Sequence, residues 1–334
     1  MTLCIDVLCL GELNVDIIVD AQDAKIEMGS EHLARSYKLC LGSSTAICAV
    51  GLARLGARVR FVGAVGDDMF GEFVLRALSS EGVDVSHVKQ VGGAPTGLTL
   101  SFTNGTDRAL LTIPGLISSA AAEDLDVMSV LAQTGARHLH CSSYYLQSGL
   151  RPSLPTVFRA AKDAGMTISL DTGHDPDEMW EGGILDALPY VDVFLPNEVE
   201  VRSIAAKLGQ DTEPELTYKA AARIAALTRM VVAKMGHRGA MAVSRDGDGY
   251  EVAACPANDV QVVDTTGAGD AFNAGFIYAM LRGRSTRECL AIGNACAGLS
   301  TMGTGGTEKM ANLEALAQFL HDHGAPGLAA SLKP

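Results

Sequence analysis

Short apolar runs alternate with amphipathic ones along most of this chain. Apolar runs at residues 5–10, 58–65, 137–142, 167–171, 191–195 and 230–234 predict short buried strands. Segments 44–55, 70–81, 122–134, 154–164, 199–208 and 213–227 carry their apolar positions at helical spacing. Strands and helices in alternation predict a mostly parallel sheet covered on both faces. Ligands of such sheets gather beyond the carboxyl ends of the strands.

Two segments break the rhythm. Residues 17–39 have weak periodicity and several charges. Residues 96–113 read as two strands around Asn104-Gly105, a favoured hairpin turn. Together they predict a small sheet separate from the main one, although the second segment alone also suits an ordinary surface hairpin. No internal repeat stands out. The tail 325–334, rich in Gly, Pro and Ala, is expected to fray.

The densest signal is Asp264-Thr265-Thr266-Gly267-Ala268-Gly269-Asp270-Ala271-Phe272-Asn273-Ala274-Gly275. Residues 260–263 read as a strand entering it and 271–281 as a helix leaving it. Gly267 and Gly269 allow positive φ and a close approach of backbone to a ligand. Free N–H groups and the helix dipole there favour an anion, most naturally a phosphate. Asp270 would then be a repelled charge whose use is to take a proton from a hydroxyl attacking that phosphate. A plain helix cap is the rival reading, and the turn alone does not choose. Phe272 stands where a dinucleotide fingerprint requires Gly, and no Gly-Lys-Ser/Thr phosphate loop occurs.

This stretch resembles the C-terminal signature of the ribokinase, or PfkB, carbohydrate kinase family. Gly11-Glu12-Leu13-Asn14-Val15-Asp16 is similar to the family's first strand and substrate aspartate, and residues 42–56 to its glycine-rich signature and first helix. Gly63-Ala64-Val65-Gly66-Asp67-Asp68-Met69-Phe70-Gly71, Pro196-Asn197-Glu198-Val199-Glu200 and Lys234-Met235-Gly236-His237-Arg238-Gly239-Ala240 follow in family order. The resemblance covers nearly the whole chain. It implies a single α/β domain, residues 1–334, with a ribokinase-like three-layer α/β/α body and a small β-sheet lid made by about 17–39 and 96–113.

The resemblance also implies roles. Asp270 is the expected base, with backbone N–H groups of Gly267, Ala268 and Gly269 around the moving phosphate. Asn197 and Glu200 match the family's Asn-x-x-Glu motif, which organises Mg²⁺ through its waters; capping of the helix that follows is the bland alternative. Lys234, Gly236 and Gly239 are expected at ATP, and Asn294 beside the adenine; a hairpin with a solvated lysine is what Lys234 suggests without the resemblance. Asp264 and Thr266, with the loop 303–306, are the candidate site for a monovalent cation such as K⁺. Asp16 and Gly42 are expected at the acceptor sugar. By position alone, Asn14, two residues before Asp16, suits either the same substrate face or a simple turn, and Arg108, beside the hairpin turn, is a candidate lid contact. The chain departs from the family in having Leu41-Gly42 for a common Gly-Gly pair and Ala46 where many members place a sugar-binding Asn.

Composition narrows the partners. Among 334 residues the net charge is −13, which opposes non-specific binding to nucleic acid or anionic membranes. The eight cysteines form no Cys-x-x-Cys pair. Asp6 interrupts the N-terminal apolar stretch, and no run reaches the roughly 18 residues of a membrane span. A reduced, cytoplasmic protein is expected. His138 and His140 share a strand face but lack a third metal ligand, so they are expected to be packed. His174 suits either a substrate contact or an exposed loop; His321, His323 and Glu198 are expected in solvent.

The reading is an ATP-dependent carbohydrate kinase using ATP and Mg²⁺, with a homodimer through the lid. The rivals are an adenosine-type nucleoside kinase, a phosphosugar kinase, a non-catalytic sugar or nucleotide sensor on the same fold, and, more remotely, a nicotinamide oxidoreductase.

Overall fold

The computed structural model describes residues 5–21, 28–103, 108–209, 217–247 and 249–332. In chain order the strands are β1 (Val7–Leu10), β2 (Asn14–Asp20), β3 (Ser36–Leu41), β4 (Val59–Gly66), β5 (Asp84–Val91), β6 (Gly97–Thr103), β7 (Arg108–Ile113), β8 (His138–Cys141), β9 (Thr167–Leu170), β10 (Val193–Phe194), β11 (Met230–Lys234), β12 (Ala240–Asp246) and β13 (Gly249–Cys255). The helices are α1 (Ser44–Arg54), α2 (Met69–Ser80), α3 (Leu116–Ser119), α4 (Val127–Thr134), α5 (Leu154–Asp163), α6 (Ile184–Ala187), α7 (Glu198–Ala206), α8 (Thr217–Ala225), α9 (Ala268–Leu281), α10 (Thr286–Ser300), α11 (Leu313–Asp322) and α12 (Pro326–Ala330).

The main sheet runs β13-β12-β11-β10-β9-β8-β1-β4-β5. All pairings from β11 to β5 are parallel, and only the β11–β12 and β12–β13 pairings are antiparallel. Successive side chains of β1 point to opposite faces. Leu8 and Leu10 join Leu139 and Ile168 under α4, α5, α7 and α8. Val7 and Cys9 join Phe61, Val193 and Val232 under α1, α9, α10 and α11. This is the expected three-layer body. The chain leaves β1 toward β4 and β5, then returns to β8 and proceeds the other way. The crevice past the ends of β1 and β8 is therefore the switch point where such sheets bind ligands.

The small sheet has the order β3-β2-β6-β7. Its pairing sorts the side chains into two unlike faces. One carries Val15, Ile17 and Val19 beside Leu41, Leu39, Tyr37, Leu98, Leu100, Phe102, Ile113 and Leu111. The other carries Asp16 beside Cys40, Thr99 and Thr112. Charge in residues 17–39 had masked this alternation.

The segment 63–71 anchors the small sheet to the body. Thr96, just before β6, accepts a hydrogen bond from Gly66 N at 2.8 Å and donates its hydroxyl to Asp68 at 2.7 Å. Asp68 also caps α2. A Cβ on Gly71 would lie 2.2 Å from Gly66 O, and one on Gly66 2.2 Å from Ala94 O. Side chains at these points would force the backbones apart.

Some expectations change. Residues 260–263 form no strand: Val262 and Val263 are 55% and 60% exposed, with no strand beside them, and only single bonds such as Val263 N to Thr301 O hold the segment. The segment read as a frayed tail carries α12, with Ala329 and Leu332 buried. Asn104-Gly105 lies outside the described residues. His138 and His140 are packed: their ring nitrogens bond Thr167, Ser169 and Ser142 at 2.7–2.8 Å, and burial pushes them down to about 3 and about 4. Among the described residues no group of three metal-binding side chains occurs, and no helix is long and apolar enough to cross a membrane.

Candidate active site

Five carboxyl ends converge: Glu12 past β1, Ser142 past β8, Asp171 past β9, Asn197 past β10 and Lys234 closing β11. The N-termini of α1 and α9 face them.

The turn before α9 is built as the motif suggested, with one correction. Gly267 has φ 75°, and a Cβ there would lie 2.5 Å from Gly306 Cα. Gly269 is not among the positive-φ residues; it lies inside α9, and a Cβ would meet only the Lys234 ammonium at 3.5 Å. Its glycine leaves space rather than relieving strain. Ala268 N donates to Thr265 O at 3.2 Å, so its N–H is already used. Those of Gly269 and Asp270 belong to the helix's first turn, where no intrahelical acceptor exists. Asp270 is half-buried. Burial, then the nearby Asp171 carboxylate, raises its carboxyl well above the usual range, against the pull of Lys234 and a hydrogen bond from Ser44.

Lys234 lies neither in solvent nor in an open groove. Its ammonium forms a buried ion pair with Asp171 and lies 3.4 Å from Asn273 Oδ1. Asn273 Nδ2 donates to the same Asp171 oxygen at 2.5 Å. Burial alone would raise Asp171, but Lys234 and Asn273 hold it below the usual range. Burial likewise opposes the Lys234 charge, and Asp171 and Glu200 more than restore it.

Asn197 and Glu200 form the capping box foreseen as the bland alternative. Glu200 is 3% exposed, and both its oxygens are occupied: Oε1 accepts Asn197 Nδ2 at 2.6 Å, while Oε2 accepts Asn197 N at 2.7 Å and Thr172 Oγ1 at 3.1 Å. Burial and the Asp171 carboxylate push its carboxyl up to about 7. Glu198 pairs with Arg202 and Arg238 instead of standing alone in solvent. Gly236 and Gly239 both have positive φ; a Cβ on Gly239 would lie 2.1 Å from Cys255 O. Asn294 donates to Cys255 O and Pro256 O, each at 3.0 Å, so its amide pins this loop. Asp264 accepts from Thr266 N, Thr266 Oγ1 and Gly305 N at 2.8–2.9 Å.

At the start of β2, Asn14 Nδ2 donates to Asp16 Oδ1 at 2.9 Å and lies 3.4 Å from Thr99 Oγ1. The period-two spacing of Asn14 and Asp16 put them on one face, as expected. Gly42 lets α1 come this close: a Cβ would lie 2.3 Å from Asp16 Oδ1. Ala46 is fully buried. Arg108 opens β7, but its side chain lies outside the described residues. His174 is exposed, edge-on to Trp180; His321 is exposed, and His323 stacks on Phe319. A cavity of about 550 Å³ between α11 and α12 is lined by His321 but by none of the residues at the strand ends.

Sequence reasoning missed Glu12, Thr45, Asp171 and Asn273. Glu12, 4% exposed, accepts Thr45 Oγ1 at 2.7 Å, which fixes the start of α1 over β1. Burial raises its carboxyl. The signal available for Asn273 was its place one turn after Asp270 on the same helix face.

The pattern of the pfkB family carbohydrate kinases matches residues 5–312. The chain belongs to this family. It is an enzyme that phosphorylates a sugar. The kinase is similar to the 5-dehydro-2-deoxygluconokinase of Clostridium perfringens, 28% identical over 295 residues, 86% of each chain. It is similar to the ATP-dependent ribose-1-phosphate kinase of Halopiger xanaduensis, 32% identical over 95% of this chain and 98% of the relative. Its fold is that of Arabidopsis thaliana ribokinase solved with ribose and ATP, with a TM-score of 0.79 at 26% identity, covering 95% of this chain and 99% of the other.

The buried pair generates a stability prediction. Lys234→Met strands the Asp171 charge and should cost about 3–5 kcal/mol in urea unfolding. Adding Asp171→Asn should recover part of that loss. A single variant within about 1 kcal/mol of wild type would contradict the pairing.

Proposed function

We propose that this kinase transfers the γ-phosphate of ATP to a sugar hydroxyl, with Asp270 taking the hydroxyl proton. The observation that carries this reading is Asp270 at the start of α9, beside first-turn N–H groups and facing the Lys234 ammonium. A group with a raised pKa is a better proton acceptor once ionised, and the helix N-terminus suits the phosphoryl charge. Gly267 and Gly269 let that charge approach the backbone, and the space over Gly269 puts Lys234 within reach of it. Ribose-1-phosphate and keto-sugar-acid kinases among the relatives leave the acceptor open. The sequence has no Arg/Lys cluster beside Asp16 or Gly42, which favours a free sugar over a phosphosugar. Ala46, buried and without an amide, disfavours ribose itself.

The test is ADP release across a panel of sugars, sugar phosphates and nucleosides. Asp270→Asn should lower kcat about 10²–10⁴-fold with ATP affinity retained. Because burial raises Asp270, the wild-type rate should climb with pH through a midpoint well above the usual carboxylate range. Turnover near wild type in the variant would remove Asp270 from the base role. Ribose as the best substrate by a wide margin would overturn the reading of Ala46.

Asn197 and Glu200 suit Mg²⁺ held through its waters: their side-chain oxygens are already taken by one another and by Thr172, and burial favours a neutral Glu200 unless a cation stands near. When bound, the ion would neutralise charge on the ATP phosphates. Glu200 loses its proton as pH rises through about 7, and its charged form attracts the cation. The Mg²⁺ concentration for half-maximal rate should therefore rise as pH falls below about 7, and Glu200→Gln should raise it and flatten this dependence. A Mg²⁺ requirement that ignores both changes would leave only the capping role. Asp264, Thr266 and the loop after Thr301 supply the candidate monovalent-cation site.

We also propose a homodimer through the apolar face of the small sheet, where Tyr37, Leu111 and Ile113 are 77%, 57% and 42% exposed. Leu111→Lys should shift the sedimenting species from dimer to monomer. A wild-type protein that sediments as a monomer at micromolar concentration would end this proposal.

A further inference from the structure

The small sheet clamps one peptide of the segment after α10. Lys38, on edge strand β3, donates to Thr304 O at 3.1 Å and to Glu308 Oε2 at 2.5 Å. The same Glu308 oxygen accepts Thr304 N at 3.0 Å. One ion pair therefore holds both the N–H and the C=O of Thr304. The ammonium keeps the Glu308 carboxyl below its usual range.

The next two residues lead to the phosphoryl-transfer turn. Gly305, at φ 80°, donates its N–H to Asp264 Oδ2 at 2.8 Å, and a Cβ there would lie 2.9 Å from Cys40 Sγ on β3. Asp264 Oδ1 in turn fixes Thr266 through its N–H and hydroxyl. Gly306 packs against Gly267, the N-cap of α9, with no room for a Cβ on either glycine: one on Gly267 meets Gly306 Cα at 2.5 Å, and one on Gly306 meets Ile47 Cδ1 at 2.5 Å. Farther along, Arg54 of α1 grips Thr307 O at 2.8 Å and Met310 O at 3.2 Å. Arg54 is itself fixed by Glu81. The segment is thus anchored to the body at 307–310, pressed on the turn at 305–306 and held by the small sheet at 304 and 308.

We propose that Lys38 and Glu308 form a latch through which the seated small sheet sets the turn 264–270 for phosphoryl transfer. Lys38 is then a positioning residue. It acts on Asp270 and its neighbouring N–H groups through Thr304, Gly305 and Gly306, and touches no reacting atom. The clamp is formed when the small sheet is seated, and a sugar held between sheet and body favours that arrangement and with it the working geometry of the turn. The inference rests on the reading of Asp270 as the base.

The experiment compares Lys38→Met, Glu308→Gln and the exchanged pair Lys38→Glu/Glu308→Lys with wild type and with Asp270→Asn. Each protein is assayed for kcat and KM with its best panel sugar, for ATP hydrolysis without sugar and for thermal midpoint. An ion pair of this exposure supports an effect of about two- to fivefold. The single variants should lose that much in kcat, with sugar KM and thermal midpoint little changed. Their sugar-stimulated rate should fall relative to sugar-free hydrolysis, and the exchanged pair should regain most of both. Single variants with wild-type kcat and stimulation overturn the latch, as does a loss that the exchanged pair fails to restore. If Asp270→Asn stays active, the base assignment fails, whatever the latch variants do. A fall in thermal midpoint matching the fall in rate, without recovery in the exchanged pair, assigns Lys38 to stability alone and also overturns the latch.

Discussion

Charge taken out of water at the strand ends is the constraint on which this structure turns. Glu12, Asp171, Glu200 and Asp270 crowd the carboxyl edge of the sheet, with the Lys234 ammonium among the last three. Four carboxyl groups cannot all be ionised in so little water, because each pays desolvation and repels the others. The arrangement resolves this unevenly. Asp171 keeps its charge because Lys234 and Asn273 bond it directly. Glu12, Glu200 and Asp270 are pushed toward the neutral form by burial. The uneven sharing separates one paired carboxylate from three whose charged form burial opposes.

Positioning follows from the same edge. The β1/β8 switch leaves a crevice with two helix N-termini over it, and Thr45 and Asn273 tie those helices to carboxylates at the strand ends. Tight glycine contacts bring the remaining parts together. Gly42 lets α1 close on Asp16, Gly267 lets the turn close on Gly306, and Gly71 lets α2 close on the end of β4. In each case the missing Cβ is a distance requirement, and only at Gly267 is it also a dihedral one.

The small sheet has two tasks that fall on opposite faces. Its polar face carries Asp16, the residue proposed to meet the acceptor, with Thr99 and Thr112, and its apolar face leaves Tyr37, Leu111 and Ile113 exposed. Its edge, at Lys38, meets the loop that leans on the turn. Its placement on the body rests on contacts such as Thr96 with Gly66 and Asp68, and Lys38 with Thr304 and Glu308.

The sequence by itself determined the α/β alternation, the helix starting near Asp270, the shared face of Asn14 and Asp16, and the order of the family motifs. These are local: a period of 2 or 3.6, a cap or a glycine turn is decided by residues a few positions apart. It misjudged residues 260–263, because apolar residues without a neighbouring strand have nothing to pair with. Its solvated alternative for Lys234 fails, since that ammonium is paired with Asp171, and it gave Gly269 a positive φ that Gly267 has and Gly269 lacks. Tertiary structure alone decided that Lys234 would meet Asp171, and that Asn273 would join them from 102 positions beyond Asp171. It alone set Glu12 on Thr45 and Lys38 on Glu308. Nothing within a few residues of any of these side chains specifies its partner. Each is chosen by which strand ends and helix starts the packed sheet brings together, and by the cost of leaving a buried charge without one.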